Sequence, residues 1–343
     1  MCKWMVAAMS IVLATGVIVG APLDAEEQQR QEAALAQLDA DLTKASTEDQ
    51  RTAILRRAMK DEVSRMKDDI NPEMRRQILL RAELLTSPGQ EDWLIERLRD
   101  EPDFLLRQVI ASLLGKTGSP RVVATLIIAA RSDPKTFGRA GCIRLEGTVR
   151  RQAMFALAEL GNRLPDQRQR IVDALRAMPW PDDKADLEYL DDVRLQSLYQ
   201  LTGENELLKV FFQRLASDNS KDRVRGVVAF RFLKLRKAPT ELVARLEDAN
   251  EEVRMWAAFV LGEIGDSVTV PALMATAENK KLDRATRASA IASLGKMNAK
   301  AAMELMKRLS KDKNDTIAPQ ATAALNAFQT AETHPVATSK PAE

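Results

Sequence analysis

Histidine is almost missing: His334 is the only one in 343 residues. Ser-His-Asp and Cys-His nucleophile systems need an imidazole placed by the fold, and a single one near the C-terminal end does not offer that. Cysteine is nearly as scarce, with only Cys2 and Cys142. No His or Cys spacing resembles a zinc site. There is no G-x-x-x-x-G-K-[ST] phosphate loop, and no cofactor is expected. Aromatics are 4% of the chain, which suits helices better than sheets. An excess of one charge is also lacking, since 51 Lys and Arg face 49 Asp and Glu, for a net +2. Nucleic-acid binders usually carry a stronger basic excess, so no nucleic-acid partner is expected. Carboxylates are plentiful, but no spacing singles out a catalytic pair.

Hydrophobic residues make up 45% of the chain, enough for a large core. The first 25 residues read as a signal peptide. Lys3 gives a short positive start, Trp4 to Ala21 carries no charge, and Leu23-Asp24-Ala25 offers cleavage before Glu26. The alternative is an uncleaved anchor, because the uncharged run is at the lower limit of a membrane span. Either way the remainder is expected outside the cytoplasm, in the periplasm or beyond the cell. Contact with a membrane would arise only through an uncleaved start. Cleavage leaves Cys142 as the one thiol, so packing and not a disulfide must hold the exported chain together. Cys142 reads as a small hydrophobe or inert loop thiol, with a reactive or interchain thiol as the alternative.

The stretch "VRMWAAFVLGEIGD" shows the pattern on which the chain is built. Val253, Trp256, Ala257, Val260 and Ile264 make one apolar helix face, yet Gly262 and Gly265 interrupt it. Its apolar-Arg head recurs as Met74-Arg75, Leu106-Arg107, Val149-Arg150, Val193-Arg194, Val224-Arg225 and, with threonine, Thr286-Arg287. The successive intervals are 32, 43, 44, 31, 29 and 33 residues. Twelve positions after each head stand Thr86, Gly118, Gly161, Asn205, Arg236, Gly265 and Asn298. Gly and Asn tolerate the left-handed conformation that ends a helix, so Gly118, Gly161 and Gly265 are expected as caps. Gly262 aligns with Gly115, Ala158 and Gly295, where a small residue lets a neighbouring helix approach. A second apolar stripe comes after each stop, such as Val270, Leu273, Met274 and Ala277. Each unit is therefore helix, tight turn, helix. Such pairs bury both faces only by stacking.

"VRMWAAFVLGEIGDSVTVPAL" and "VRRQAMFALAELGN" resemble HEAT repeats, specifically the bacterial HEAT-like subtype named after phycobilisome lyases. The resemblance implies an all-α fold, an α-solenoid of stacked antiparallel helix pairs forming a HEAT-like superhelix. It also implies an arginine ladder, in which the recurrent arginine and an acid six residues earlier link the turns of successive repeats. Arg75, Arg107, Arg194 and Arg254 come after Asp69, Glu101, Glu188 and Asp248 at that spacing, while Arg144 and Asn219 break it before Arg150 and Arg225. The alternative reading is an arginine row gripping an anionic ligand. HEAT-like deoxyhypusine hydroxylases hold two irons with several His-Glu pairs, and this chain has none. HEAT-like alkylpurine DNA glycosylases form a further comparison, against which the leader argues.

Two intervals are long by about a dozen residues, each after the second helix of its unit. Such insertions emerge on one edge of a solenoid, where recognition tends to collect. "SDPKTFGRAGCIRLEGT" brings Lys135, Arg139 and Arg144; "MPWPDDKADLEYLDD" brings Trp180, Asp182 and Asp183. Trp180 reads as a contact anchor, or as a loop residue folding back onto the repeats. The basic cluster Arg231, Lys234, Arg236 and Lys237 reads as a solvated face. The chain divides into a signal peptide at 1–25, an N-terminal helical cap at 26–69, repeats at 70–330 and a flexible tail at 331–343. The function expected is an exported, non-catalytic scaffold whose partner is another protein. The alternative is an accessory that assists cofactor attachment or an exported redox enzyme.

Overall fold

The computed structural model describes residues 25–65, 73–82, 88–101, 103–131, 143–178, 184–312 and 316–333. Those residues are helical throughout, with turns between helices and no strand. They fall into two compact units, divided after Gly203, and each is an α-solenoid of stacked helix pairs. No described helix is long and apolar enough to cross a membrane.

The first unit opens with the pair α1 (Ala25–Lys44) and α2 (Glu48–Arg65). Their turn carries a capping box made by Thr47 and Gln50. The Gln50 amide donates to Thr47 Oγ1 at 3.2 Å, and the Thr47 amide donates back to Gln50 Oε1 at 3.3 Å. Next come α3 (Glu73–Arg81), α4 (Pro88–Asp100), α5 (Phe104–Thr117) and α6 (Val123–Arg131). The unit ends with α7 (Ile143–Arg163), α8 (Pro165–Arg176) and α9 (Lys184–Thr202). Pro88 and Pro165 begin their helices, where a missing N–H has no intrahelical partner to lose. Arg81 ties α3 to α1 through a forked contact with Asp39 at 2.6 and 2.7 Å.

The second unit contains α10 (Lys209–Leu215), α11 (Ser220–Phe230), α12 (Thr240–Val243) and α13 (Glu251–Ile264). It continues with α14 (Val270–Glu278), α15 (Arg284–Lys296), α16 (Met303–Lys311) and α17 (Ala318–Thr333). Short 3₁₀ turns lead into α10, α14 and α16. The core is the inward stripe of each helix: Val253, Ala257 and Val260 of α13 are buried, as are Leu273 and Ala277 of α14.

Both long intervals are partly taken up by helix. α7 begins six residues before Val149, and α9 begins nine before Val193, so Glu188, Asp191 and Asp192 lie within a helix, not in a loop preceding one. Alternating acids and apolar residues over 184–193 support continuous helix as well as they support a loop. In the C-terminal segment, α17 runs to Thr333, into the stretch expected as tail.

Candidate functional site

The recurrent arginines join repeats, and their geometry is specific. Arg254 Nη1 donates to the backbone carbonyl of Asp248 at 2.8 Å, six residues back, while Nη2 meets the carboxylate of Asp283 in the next repeat at 2.7 Å. Arg107 likewise reaches the Glu101 carbonyl at 2.8 Å. The carboxylate of Asp248 is held by the preceding repeat, through Arg223 Nε and Nη2 at 2.8 Å each. Glu101 in turn meets Arg75 at 3.3 Å. So the acid six residues earlier gives its own arginine a carbonyl, and gives its carboxylate to the arginine one repeat before. Arg194 differs: it pairs with Asp191 within α9, at 2.8 Å. Asp69 and the Glu188 side chain lie outside the described residues.

The structure also corrects the register of one unit. Asn219, Asn250 and Asp283 cap α11, α13 and α15 with their side chains. Four residues after each cap stand Arg223, Arg254 and Arg287. Fifteen after each stand Lys234, Gly265 and Asn298, with φ of 52°, 73° and 49°. Arg223 therefore holds the ladder position, not Arg225, and Lys234 makes the left-handed turn, not Arg236. Arg223 Nη1 also donates to Ser217 O at 2.9 Å, the same six-residue return as in Arg254.

Of the three expected glycine caps, only Gly265 is left-handed. Gly118 caps α5 with extended backbone, φ −63° and ψ 151°. A side chain there would collide with Leu114 O and Val122, so space and not conformation calls for glycine. Gly161 lies inside α7 and does not end it; a Cβ there would come within 2.5 Å of Leu201. Gly203, and not Asn205, takes the left-handed turn after α9, with φ 70°.

Small and hydroxyl residues bring α13 and α15 together. A Cβ on Gly262 would lie 2.8 Å from Ser293 Cα. Ser293 and Ser289 donate their hydroxyls to Ala258 O and Met255 O at 2.8 and 3.0 Å. Gly115 faces Ala156 in the same manner, with 2.7 Å from its notional Cβ to Ala156 Cα.

The electrostatics separate two ladder acids. Burial disfavours the Asp248 carboxylate, but hydrogen bonds from Arg223 and the Asn250 amide, with the charges of Arg223 and Arg245, outweigh it and lower its pKa. Burial wins at Glu101, which is fully enclosed and whose pKa is raised despite Arg75 and the Asp103 amide.

Lys135, Arg139, Trp180, Asp182 and Asp183 lie outside the described residues, as do Cys142 and His334; Arg144 sits in α7, its side chain likewise outside them. Two other surface features are described. An open groove of about 780 Å³ runs along α1 and α2, with Leu38 and Ile54 in its wall beside Arg30, Asp41, Asp61 and Glu62. On the second unit, Arg231 lies over two aromatic rings, 5.4 Å from Phe232 and 5.2 Å from Phe259. Phe259 meets Trp256 edge to face at 5.7 Å. Lys234, Arg236 and Lys237 follow Arg231 on the turn after α11. The four cations are legible in the sequence but the rings are not, because helical periodicity puts Trp256 in the core stripe. Its half-buried state shows that it sits at the edge of that stripe. Among the described residues no cluster of His, Cys, Asp and Glu could hold a metal ion.

Comparison with known proteins gives the class. The model for HEAT repeats matches residues 239–328, and that for the phycobilisome lyase HEAT-like repeat matches residues 149–178. The chain thus carries HEAT repeats over residues 239–328 and a repeat of the phycobilisome-lyase type over residues 149–178. Among solved structures, human deoxyhypusine hydroxylase in complex with glycerol is similar at 16% identity, covering 82% of this chain and 97% of that one, with a TM-score of 0.36. The YibA protein of Escherichia coli is similar at 18% identity, covering 83% and 98%, with a TM-score of 0.39. An engineered protein is similar at 12% identity, covering 87% and 92%, with a TM-score of 0.31. A search of curated proteins gives no match.

Proposed function

We propose that this chain is an exported, non-catalytic HEAT-repeat scaffold that binds another protein. One observation carries the reading: three arginines that recur with the repeat reach into the next repeat and are committed there. Arg223, Arg254 and Arg75 hold the carboxylates of Asp248, Asp283 and Glu101. These arginines serve stacking, so they do not form a row for an anionic ligand. The variable surface is left for recognition. Crosslinking in envelope fractions tests this, with a stoichiometric protein partner expected. Turnover by the purified chain would overturn it. Export is tested by N-terminal sequencing, with Glu26 expected first; full-length chain in the cytosol would overturn export, and full-length chain in the membrane would favour the anchor. Within the scaffold reading, Trp180→Ala is expected to weaken partner capture far more than it lowers the melting temperature.

The phycobilisome-lyase-type repeat at 149–178 supports a second reading, an accessory to cofactor attachment or to an exported redox enzyme. An absorbing cofactor in the protein purified from its own cells would favour it.

A further inference from the structure

We propose that the turn after α11 and the adjoining face of α13 form a docking surface for an acidic segment of a partner protein, one carrying an apolar side chain among its carboxylates. The inference rests on the scaffold reading and adds a place and a chemistry to it.

The cations come first. Residues 231–238, RFLKLRKA, hold four cations and no acid. Elsewhere in this unit the cations are largely paired: Arg223 and Arg245 with Asp248, Arg254 with Asp283, Lys296 with Glu263 and Lys280 with Asp312. Among the described residues, Lys234 and Arg236 have no such ion pair, and Lys237 acts on Asp266 through its charge alone. The acid that meets the turn, Asp266, is already committed, accepting from the Ala238 amide at 2.9 Å and the Val268 amide at 3.1 Å. That first contact ties the end of the turn to the C-terminal end of α13, while Arg231 ties its start to Phe259.

The rings supply the second half. Arg231 fills one face of Phe259, and Trp256 stands edge to face against it. Trp256 is half-buried. A half-buried aromatic side chain on a helix to which an exposed cationic turn is tied is the composition of an interface anchor, apolar at its centre and charged at its rim. Carboxylates of a partner would meet Lys234, Arg236 and Lys237 while an apolar side chain packs on Trp256. Glu252, exposed one turn before Trp256, and Glu263, taken up by Lys296, limit the acid-binding region to the turn after α11. The edge-to-face rings do not offer the successive parallel platforms on which single-stranded nucleic acid stacks, which favours a peptide.

The test is fluorescence anisotropy with the whole chain and a labelled peptide of Asp and Glu around a central Leu-Phe pair. Saturable, salt-sensitive binding is expected, and none when the acids of the peptide are replaced by lysine. Trp256→Ala and the double variant Arg236→Glu/Lys237→Glu should each weaken it by about ten-fold or more. Both residues of the double variant are exposed, so it keeps the test intact if Trp256→Ala fails to fold. No saturable binding, binding by both variants equal to that of the parent, or tighter binding of a labelled oligothymidylate would overturn the proposal. Envelope crosslinking separates the two levels. A partner captured equally by the parent and the double variant overturns this surface and leaves the scaffold reading standing; no partner captured by either overturns the scaffold reading.

Discussion

Gly262 and Gly265 stand three residues apart near the end of one helix, and alanine would fail at each for a different reason. A Cβ at Gly265 meets nothing, so only the backbone objects, at φ 73°. Gly265→Ala should cost about 1 kcal/mol in equilibrium unfolding. At Gly262 the backbone is helical and Ser293 occupies the space, so Gly262→Ala should cost about 1–3 kcal/mol by forcing α13 and α15 apart. Equal losses would mean that the two sites are not distinguished as described. The acids also divide by sign. Asp248 has a lowered pKa, so its contribution is present above its unfolded value, about pH 4, and is lost as pH falls through its folded one. Glu101 has a raised pKa, so its contribution is fullest below its unfolded value and is lost as pH rises through its folded one. Between about pH 3 and pH 6, the melting gap between parent and Asp248→Asn should therefore widen, while that between parent and Glu101→Gln should shift in favour of the variant.

At the scale of elements, the ladder depends on shape as much as on charge. Arg223 grips Asp248 with two nitrogens and still reaches the Ser217 carbonyl, which a lysine amine does not do. Arg223→Lys should keep the charge yet lower stability by about 1–2 kcal/mol in denaturant titration; a neutral outcome would make the ladder purely coulombic. The same elements show what is legible in the sequence. Apolar stripes and the glycine at 265 are local signals, and they place the helices of the second unit closely. The unit at 219–234 reads two residues out of register, because Val224-Arg225 imitates the head while the true markers, Asn219 and Arg223, flank Ser-Lys-Asp in a stretch that is polar throughout. Gly161 imitates a cap because sequence spacing does not separate a helix end from a close approach by another helix. The acids before Val193 read as loop because the same alternation suits both. The aromatic patch stays hidden because helical periodicity does not say whether an edge position is covered.

For the whole molecule, stacked repeats imply stability that is summed from neighbours rather than from one shared core. The two compact units, 1–203 and 204–343, should then respond separately. In hydrogen exchange, Gly262→Ala should speed exchange across α13 to α17 and leave α1 and α2 unchanged; uniform acceleration along the chain would indicate a single cooperative body. The ladder has one further property, which is that it points in one direction. The rungs at Arg75, Arg223 and Arg254 each run from an arginine forward to the acid of the next repeat, so a repeat presents a plug on one side and a socket on the other. Excising residues 224–254 would put Arg223 in the place of Arg254, facing Asp283 across an ordinary joint. The shortened protein should fold with one pair fewer and keep its helical spectrum, which makes repeat number something that duplication or loss can change without redesign of either neighbour.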